Sequence, residues 1–215
     1  MNLERFRQKP LMGILRGVGS DRLVPTLESA VRGGLETLEI TMNTPGAAKL
    51  ITQAKAQAGN ELEIGAGTVL SLGQLHAALD AGASFVVMPT LVEDVVAECV
   101  RRTIPVFPGA LTPQEIHAAW RAGAAMVKVF PAKFFGPEYF REIKGPFDDV
   151  LLLACGGVSA ASLPSYAACG ADAYAFGGSV FNLTWIEAEE FDRVEAGVRE
   201  LVDAFDKQVA SRKSS

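Results

Sequence analysis

The sequence predicts a closed (β/α)8 barrel of one domain, and three observations carry that prediction. Short apolar runs alternate with longer amphipathic stretches over nearly all of the 215 residues. The runs, such as Phe85-Val86-Val87-Met88, are almost continuously apolar, as strands of a parallel sheet buried on both faces are. The stretches between them end in small-residue stops (Arg32-Gly33-Gly34, Ala81-Gly82-Ala83, Ala122-Gly123-Ala124, Cys169-Gly170-Ala171), where glycine supplies a left-handed helix cap.

In chain order, strands are expected at 12–17, 37–41, 63–69, 85–89, 104–109, 126–131, 150–158 and 173–179. Helices are expected at 23–33, 47–58, 72–81, 92–102, 113–122, 137–144 and 161–169, with a long last helix from 187 to about 210. In the 72–81 stretch Leu72, Leu75, Ala78 and Leu79 recur at steps of three and four, which puts them on one helical face. Eight such β-then-α units in one chain of this length point to a TIM barrel. The runner-up, a doubly wound open sheet, lacks a G-x-G-x-x-G after the first strand and expects less even units. No linker or low-complexity segment divides residues 1–215, so a single domain is expected.

Composition narrows the function classes. Hydrophobic residues make up 49% and supply a sizeable core, while the formal net charge of −5 argues against a nucleic-acid or anionic-membrane surface. It leaves room for a local basic pocket. The basic residues Lys207, Arg212 and Lys213 read as a solvated tail. Residues 1–10 are polar and lack an apolar signal core, and no apolar run reaches the length of a membrane span. Cys99, Cys155 and Cys169 are an odd, widely spaced set without a C-x-x-C, which fits reduced thiols in a cytoplasmic protein rather than a disulfide framework or zinc knuckle. His76 and His117 fall within expected helices, and no His, Asp and Glu spacing suits a metal. Neither a metal nor a cofactor is expected.

In such barrels function sits at the C-terminal ends of the strands. Lys128 is the sharpest signal there, because it interrupts the apolar run Val127-Lys128-Val129-Phe130-Pro131. Burial of a lysine disfavours its charged form, and a neutral amine is the nucleophile of Schiff-base chemistry. Strand alternation leaves two other readings open: a lysine pointing outward past a helix, or one held in a structural ion pair. Glu39 interrupts Thr37-Leu38-Glu39-Ile40 in the same way and fits a general acid–base partner, with a structural salt bridge as its alternative. Arg16, at the end of the first strand, suits a carboxylate clamp or a rim ion pair. Thr41 and Asn43 follow Glu39, and Thr68 and Pro89 end the third and fourth strands. Gly156-Gly157 and Gly177-Gly178-Ser179 follow the last two strands, where barrels commonly bind phosphate on backbone amides; tight turns use glycine too. Cys155 reads as a small packing residue.

These stretches resemble one family. Ile14-Leu15-Arg16-Gly17, Leu38-Glu39-Ile40-Thr41, Gly65-Ala66-Gly67-Thr68-Val69, Lys128-Val129-Phe130-Pro131-Ala132, Gly156-Gly157-Val158 and Phe176-Gly177-Gly178-Ser179 run in the order found in the 2-keto-3-deoxy-6-phosphogluconate / 4-hydroxy-2-oxoglutarate aldolases. The resemblance implies a metal-independent class I aldolase, a homotrimer, acting on a phosphorylated 2-keto-3-deoxy sugar acid. It implies Lys128 as the Schiff-base lysine, Glu39 as the acid–base and Thr68 at the pyruvyl portion. Pro89 and Phe130 line the pocket, and Gly156, Gly157, Gly177 and Gly178 form the phosphate turns. Two positions depart from the gluconate-cleaving members: Asn43 replaces an Arg, and Cys155 replaces the Thr of a Thr-Gly-Gly. The segments Leu38 to Pro45 and Phe135 to Tyr139 look more like the branch that cleaves 2-dehydro-3-deoxy-6-phosphogalactonate. The alternatives are an aldolase for 2-dehydro-3-deoxy-6-phosphogluconate or for the non-phosphorylated 4-hydroxy-2-oxoglutarate, a phosphosugar epimerase or isomerase using Glu39 as a base without a covalent step, and a non-catalytic phosphosugar-binding barrel.

Overall fold

In the computed structural model, which describes the backbone of residues 1–213 and side chains through Ser211, every strand pairing is parallel. Strands β1 (Leu11–Leu15), β2 (Thr37–Thr41), β3 (Glu63–Gly67), β4 (Val86–Val87), β5 (Val106–Phe107), β6 (Gly109–Ala110), β7 (Val127–Val129), β8 (Leu152–Cys155) and β9 (Ala173–Phe176) alternate with helices. The hydrogen-bonded order is β5-β4-β3-β2-β1-β9-β8-β7-β6. Its two ends, β5 and β6, are halves of the single strand expected at 104–109. Pro108 between them has no N–H to give a ladder, which breaks the strand in two. The Pro108 carbonyl still accepts from Lys128 N at 2.9 Å, and the Val106 carbonyl from Ala125 N at 2.8 Å. The sheet therefore closes into the expected barrel.

Most strands stop short of their expected C-terminal ends. The run expected at 173–179 is a strand only through Phe176, and the run at 150–158 only through Cys155. The remaining residues turn off the ladder into the loops that form the mouth.

Helices α2 (Ser20–Arg32), α3 (Ala47–Ala58), α4 (Leu72–Asp80), α5 (Glu93–Arg101), α6 (Pro113–Arg121), α7 (Glu138–Lys144) and α8 (Leu163–Ala168) lie where their periodicity placed them. Thr112 and Glu115 close α6 with a reciprocal capping box. The long last helix expected from 187 is α10 (Phe191–Lys213), which starts only after Glu189 takes a positive φ of 59°; a short helix that periodicity did not predict, α9 (Leu183–Glu187), precedes it. Lys207 is exposed on α10; the side chains of Arg212 and Lys213 lie outside the described ones. A helix that periodicity did not predict, α1 (Leu3–Gln8), plugs the bottom of the barrel. Its Phe6 is 2% exposed and meets Phe107 edge to face at 5.8 Å.

Two cores follow from strand alternation. Inward residues Phe6, Met12, Phe85, Val87, Phe107, Met126, Leu153, Ala173 and Ala175 fill the barrel. Outward residues such as Leu11, Leu15, Leu38, Ile40, Val127 and Val129 pack beneath the helices. Since Met126 faces in and Val127 and Val129 face out, Lys128 faces in.

Candidate active site

The lysine and the glutamate come from nearly opposite sides of the barrel. Lys128 sits at the centre of β7, paired to Gly109 and Leu153, and Glu39 at the centre of β2, paired to Ile14 and Gly65. Their side chains meet inside, with Lys128 Nζ 3.9 Å from Glu39 Oε1. Both are buried, at 5% and 0% residue exposure. Gly67 makes room for the carboxylate: a Cβ there would stand 2.5 Å from Glu39 Oε1. Among the described residues no donor reaches either Glu39 oxygen within hydrogen-bond range. A buried carboxylate with free acceptor capacity, beside an amine, suits proton transfer to a bound molecule.

The electrostatics correct one expectation. Burial does push the Lys128 pKa down, but the Glu39 carboxylate and the neighbouring Cys155 more than offset it, so Lys128 is held above its ordinary value. Burial pushes the Glu39 carboxyl up, opposed by Lys128 and Arg16. The amine thus shares a proton with the Glu39 carboxyl. It becomes a nucleophile when the proton passes to the carboxylate, whose burial makes it a better acceptor. Burial also raises the Cys155 thiol, against the opposing pull of Lys128, and its side chain lines the wall.

Above the pair opens a cavity of about 490 Å3. Arg16, Thr68, Pro89, Lys128, Phe130, Gly156, Gly157, Gly177, Gly178 and Ser179 all line it. Arg16 Nη2 donates to Thr68 Oγ1 at 3.3 Å, and Thr68 itself holds a positive φ of 55°, a strained conformation for a branched residue. Phe130 lies with its ring centroid 5.5 Å from Lys128 Nζ. Gly156 and Gly157 both take φ near +90° (91° and 89°), and the Gly177 turn is backed by the stacked rings of Phe176 and Phe181. Asn43 is exposed on the turn after β2 and is not among the residues lining the cavity. His76 and His117 are on α4 and α6, away from the mouth, where His117 stacks on Phe147 at 5.4 Å.

Sequence reasoning missed Asn182 and Leu183, which line the cavity from the start of α9. A helix of five residues is too short for a periodicity signal; the clue available was its place directly after the last glycine turn. Among the described residues no group of three His, Cys, Asp or Glu side chains is placed to hold a metal ion.

The family model for KDPG and KHG aldolases matches residues 3–197. The chain belongs to the KDPG and KHG aldolase family. It is 32% identical over 179 residues to a 2-dehydro-3-deoxy-6-phosphogalactonate aldolase of Escherichia coli K12, covering 80% of this chain and 87% of the relative. It is 33% identical over 184 residues to a KHG/KDPG aldolase of the same strain, covering 85% and 86%. A solved structure described as native KDPGal superposes with a TM-score of 0.87 at 28% identity, over 94% of this chain and 96% of that one. This aldolase is thus a carbon–carbon lyase, and the epimerase and the binding-only barrel fall behind it. No described helix is long and apolar enough to cross a membrane.

Proposed function

We propose that this aldolase cleaves 2-dehydro-3-deoxy-6-phosphogalactonate to pyruvate and D-glyceraldehyde 3-phosphate through a Schiff base on Lys128. The observation that carries the mechanism is the buried Lys128–Glu39 pair, 3.9 Å apart, with Lys128 lining the cavity and Glu39 buried behind it. Lys128 passes its proton to Glu39 and attacks the C2 ketone. The carbinolamine takes the proton back and loses water, leaving an iminium that accepts electrons. Removal of the C4 hydroxyl proton then breaks the C3–C4 bond and frees the aldehyde. The enamine is protonated at C3, and water releases pyruvate and restores the amine. Arg16 and Thr68 orient the acid portion. The turns at Gly156-Gly157 and Gly177-Gly178-Ser179 take the phosphate at the far end of the cavity.

Two observations favour the galacto epimer. The native KDPGal structure superposes with a TM-score of 0.87, against 0.80 for a 4-hydroxy-2-oxoglutarate/2-dehydro-3-deoxyphosphogluconate aldolase. Cys155 also stands where the gluconate-cleaving members carry a threonine, so the wall beside Lys128 lacks a hydroxyl. Rates on the two epimers test this. The expected preference, measured as a ratio of kcat/KM, is about tenfold or more for the galactonate, and Cys155→Thr reduces it, since one hydroxyl in a pocket shifts discrimination by roughly 10–100-fold. A chain that turns over only the gluconate would refute the assignment while leaving the aldolase intact.

The resemblance to the family also points to a homotrimer, and the three free cysteines fit the cytoplasm. Phe134 and Phe135, 73% and 57% exposed beside the mouth, are apolar area that a protomer contact would cover. Light scattering should return three times the 22.8 kDa chain mass; a monomer at micromolar concentration would count against it.

A further inference from the structure

Arg16 reaches the cavity from an exposed turn, and the contacts that fix this turn converge on the residue after it. Gly17 takes a φ of 75°, a conformation that glycine adopts freely and that leaves the link between β1 and α2 soft. Its N–H donates to Thr44 Oγ1 at 2.9 Å. Thr44 is 4% exposed on the turn after β2, and its hydroxyl lies 3.0 Å from that of the fully buried Thr41. Thr44 N donates in turn to the Thr41 carbonyl at 2.9 Å. From the other side Leu183 closes on Gly17, where an added Cβ would stand 3.0 Å from Leu183 Cδ1. The turn is thus gripped between β2 and α9, and beyond it Arg16 meets Thr68.

We propose that Thr44 is a positioning residue: its hydroxyl, braced by Thr41, anchors the Gly17 N–H and thereby sets where the Arg16 guanidinium meets an anionic group of the substrate. This rests on the reading of Arg16 as a substrate clamp. Thr44 touches no cavity-lining side chain of the pair that does the chemistry, so its removal shifts binding rather than the bond-breaking steps. Thr44→Val keeps the shape but removes the hydroxyl that the Gly17 N–H donates to, while Thr44→Ser keeps the acceptor.

The test is steady-state kinetics on the phosphorylated keto-deoxy acid for T44V, T44S, R16M and the T44V/R16M double variant, beside pyruvate trapping in the wild type. T44V should raise KM about tenfold with kcat within about threefold, and T44S should stay within about twofold of wild type. In the R16M background T44V should add less than about twofold, because residues acting through one group are not additive. Unchanged KM in T44V, no rescue by serine, or a full tenfold effect without Arg16 would overturn the proposal while wild-type pyruvate trapping left the aldolase reading standing. A wild type that traps no pyruvate overturns both. If T44V does not fold, Thr41→Val, which strips the brace alone, must raise KM in the same sense or the proposal fails.

Discussion

Lys128→Arg is expected to abolish turnover, with kcat falling by about 10^4-fold or more, the scale seen when a covalent nucleophile is lost. Arginine keeps the charge opposite Glu39 and fits a barrel that already holds a buried cation, so the fold should survive. It cannot be deprotonated in a protein and so cannot attack a ketone. The arginine variant therefore separates the two readings of a buried lysine. If Lys128 served only as Glu39's ion-pair partner, arginine would fill that place and activity would persist. Circular dichroism and steady-state rates on one preparation are sufficient, and turnover within tenfold of wild type would remove Lys128 from the chemistry.

Glu39→Gln should have the next largest effect. Losing a general acid–base lowers kcat by roughly 10^2–10^4-fold. The charge balance makes a second, independent prediction. In the wild type burial pulls the Lys128 pKa down, and Glu39 together with Cys155 more than offsets it, so Lys128 is held above its ordinary value. With the carboxylate gone, only Cys155 opposes the burial, and a buried ammonium without its counter-charge sheds its proton more readily. Lys128 in E39Q should titrate below 10.5, read from the pH dependence of its acetylation. The acid side follows from the same pair. Burial raises the Glu39 carboxyl above 4.5, so its protonated form persists to higher pH than an exposed glutamate's. In that form it cannot take the Lys128 proton, and kcat/KM should decline with falling pH on a limb centred above 4.5. E39Q should lose that limb. A Lys128 titration unchanged in E39Q would mean that the 3.9 Å approach carries no electrostatic coupling in solution.

Much of this site was legible in the sequence because polar residues inside apolar strands are costly and so conspicuous. Lys128 and Glu39 stood out on that ground alone. Which way they point did not, because alternation has two phases and only the register decides between them; Met126 in the barrel interior and Val127 under the helices resolve it. The expected drop in the lysine's pKa failed for a related reason. A strand pattern shows burial but not the partners across the barrel, and here Glu39 and Cys155 together offset the burial. The division of the fifth strand was readable in principle, since Pro108 cannot serve an interior ladder. Thr44 was not: its bond to Gly17 spans 27 residues of sequence and exists only once β1 and β2 lie side by side. Leu183 and Asn182 reach the cavity from a helix too short to announce itself. The proposed epimer preference is further still from a sequence pattern, because it rests on one wall position, Cys155, and on the placing of a single hydroxyl.

The central claim is that Lys128 forms the covalent bond. Incubation with pyruvate and sodium borohydride, followed by mass spectrometry and peptide mapping, tests it most directly, since only an imine is reduced to a stable secondary amine. A pyruvate-derived adduct on the peptide carrying Lys128, absent from the arginine variant, is the predicted result. An unmodified chain at saturating pyruvate, or an adduct that maps to exposed lysines and persists in the variant, would contradict it.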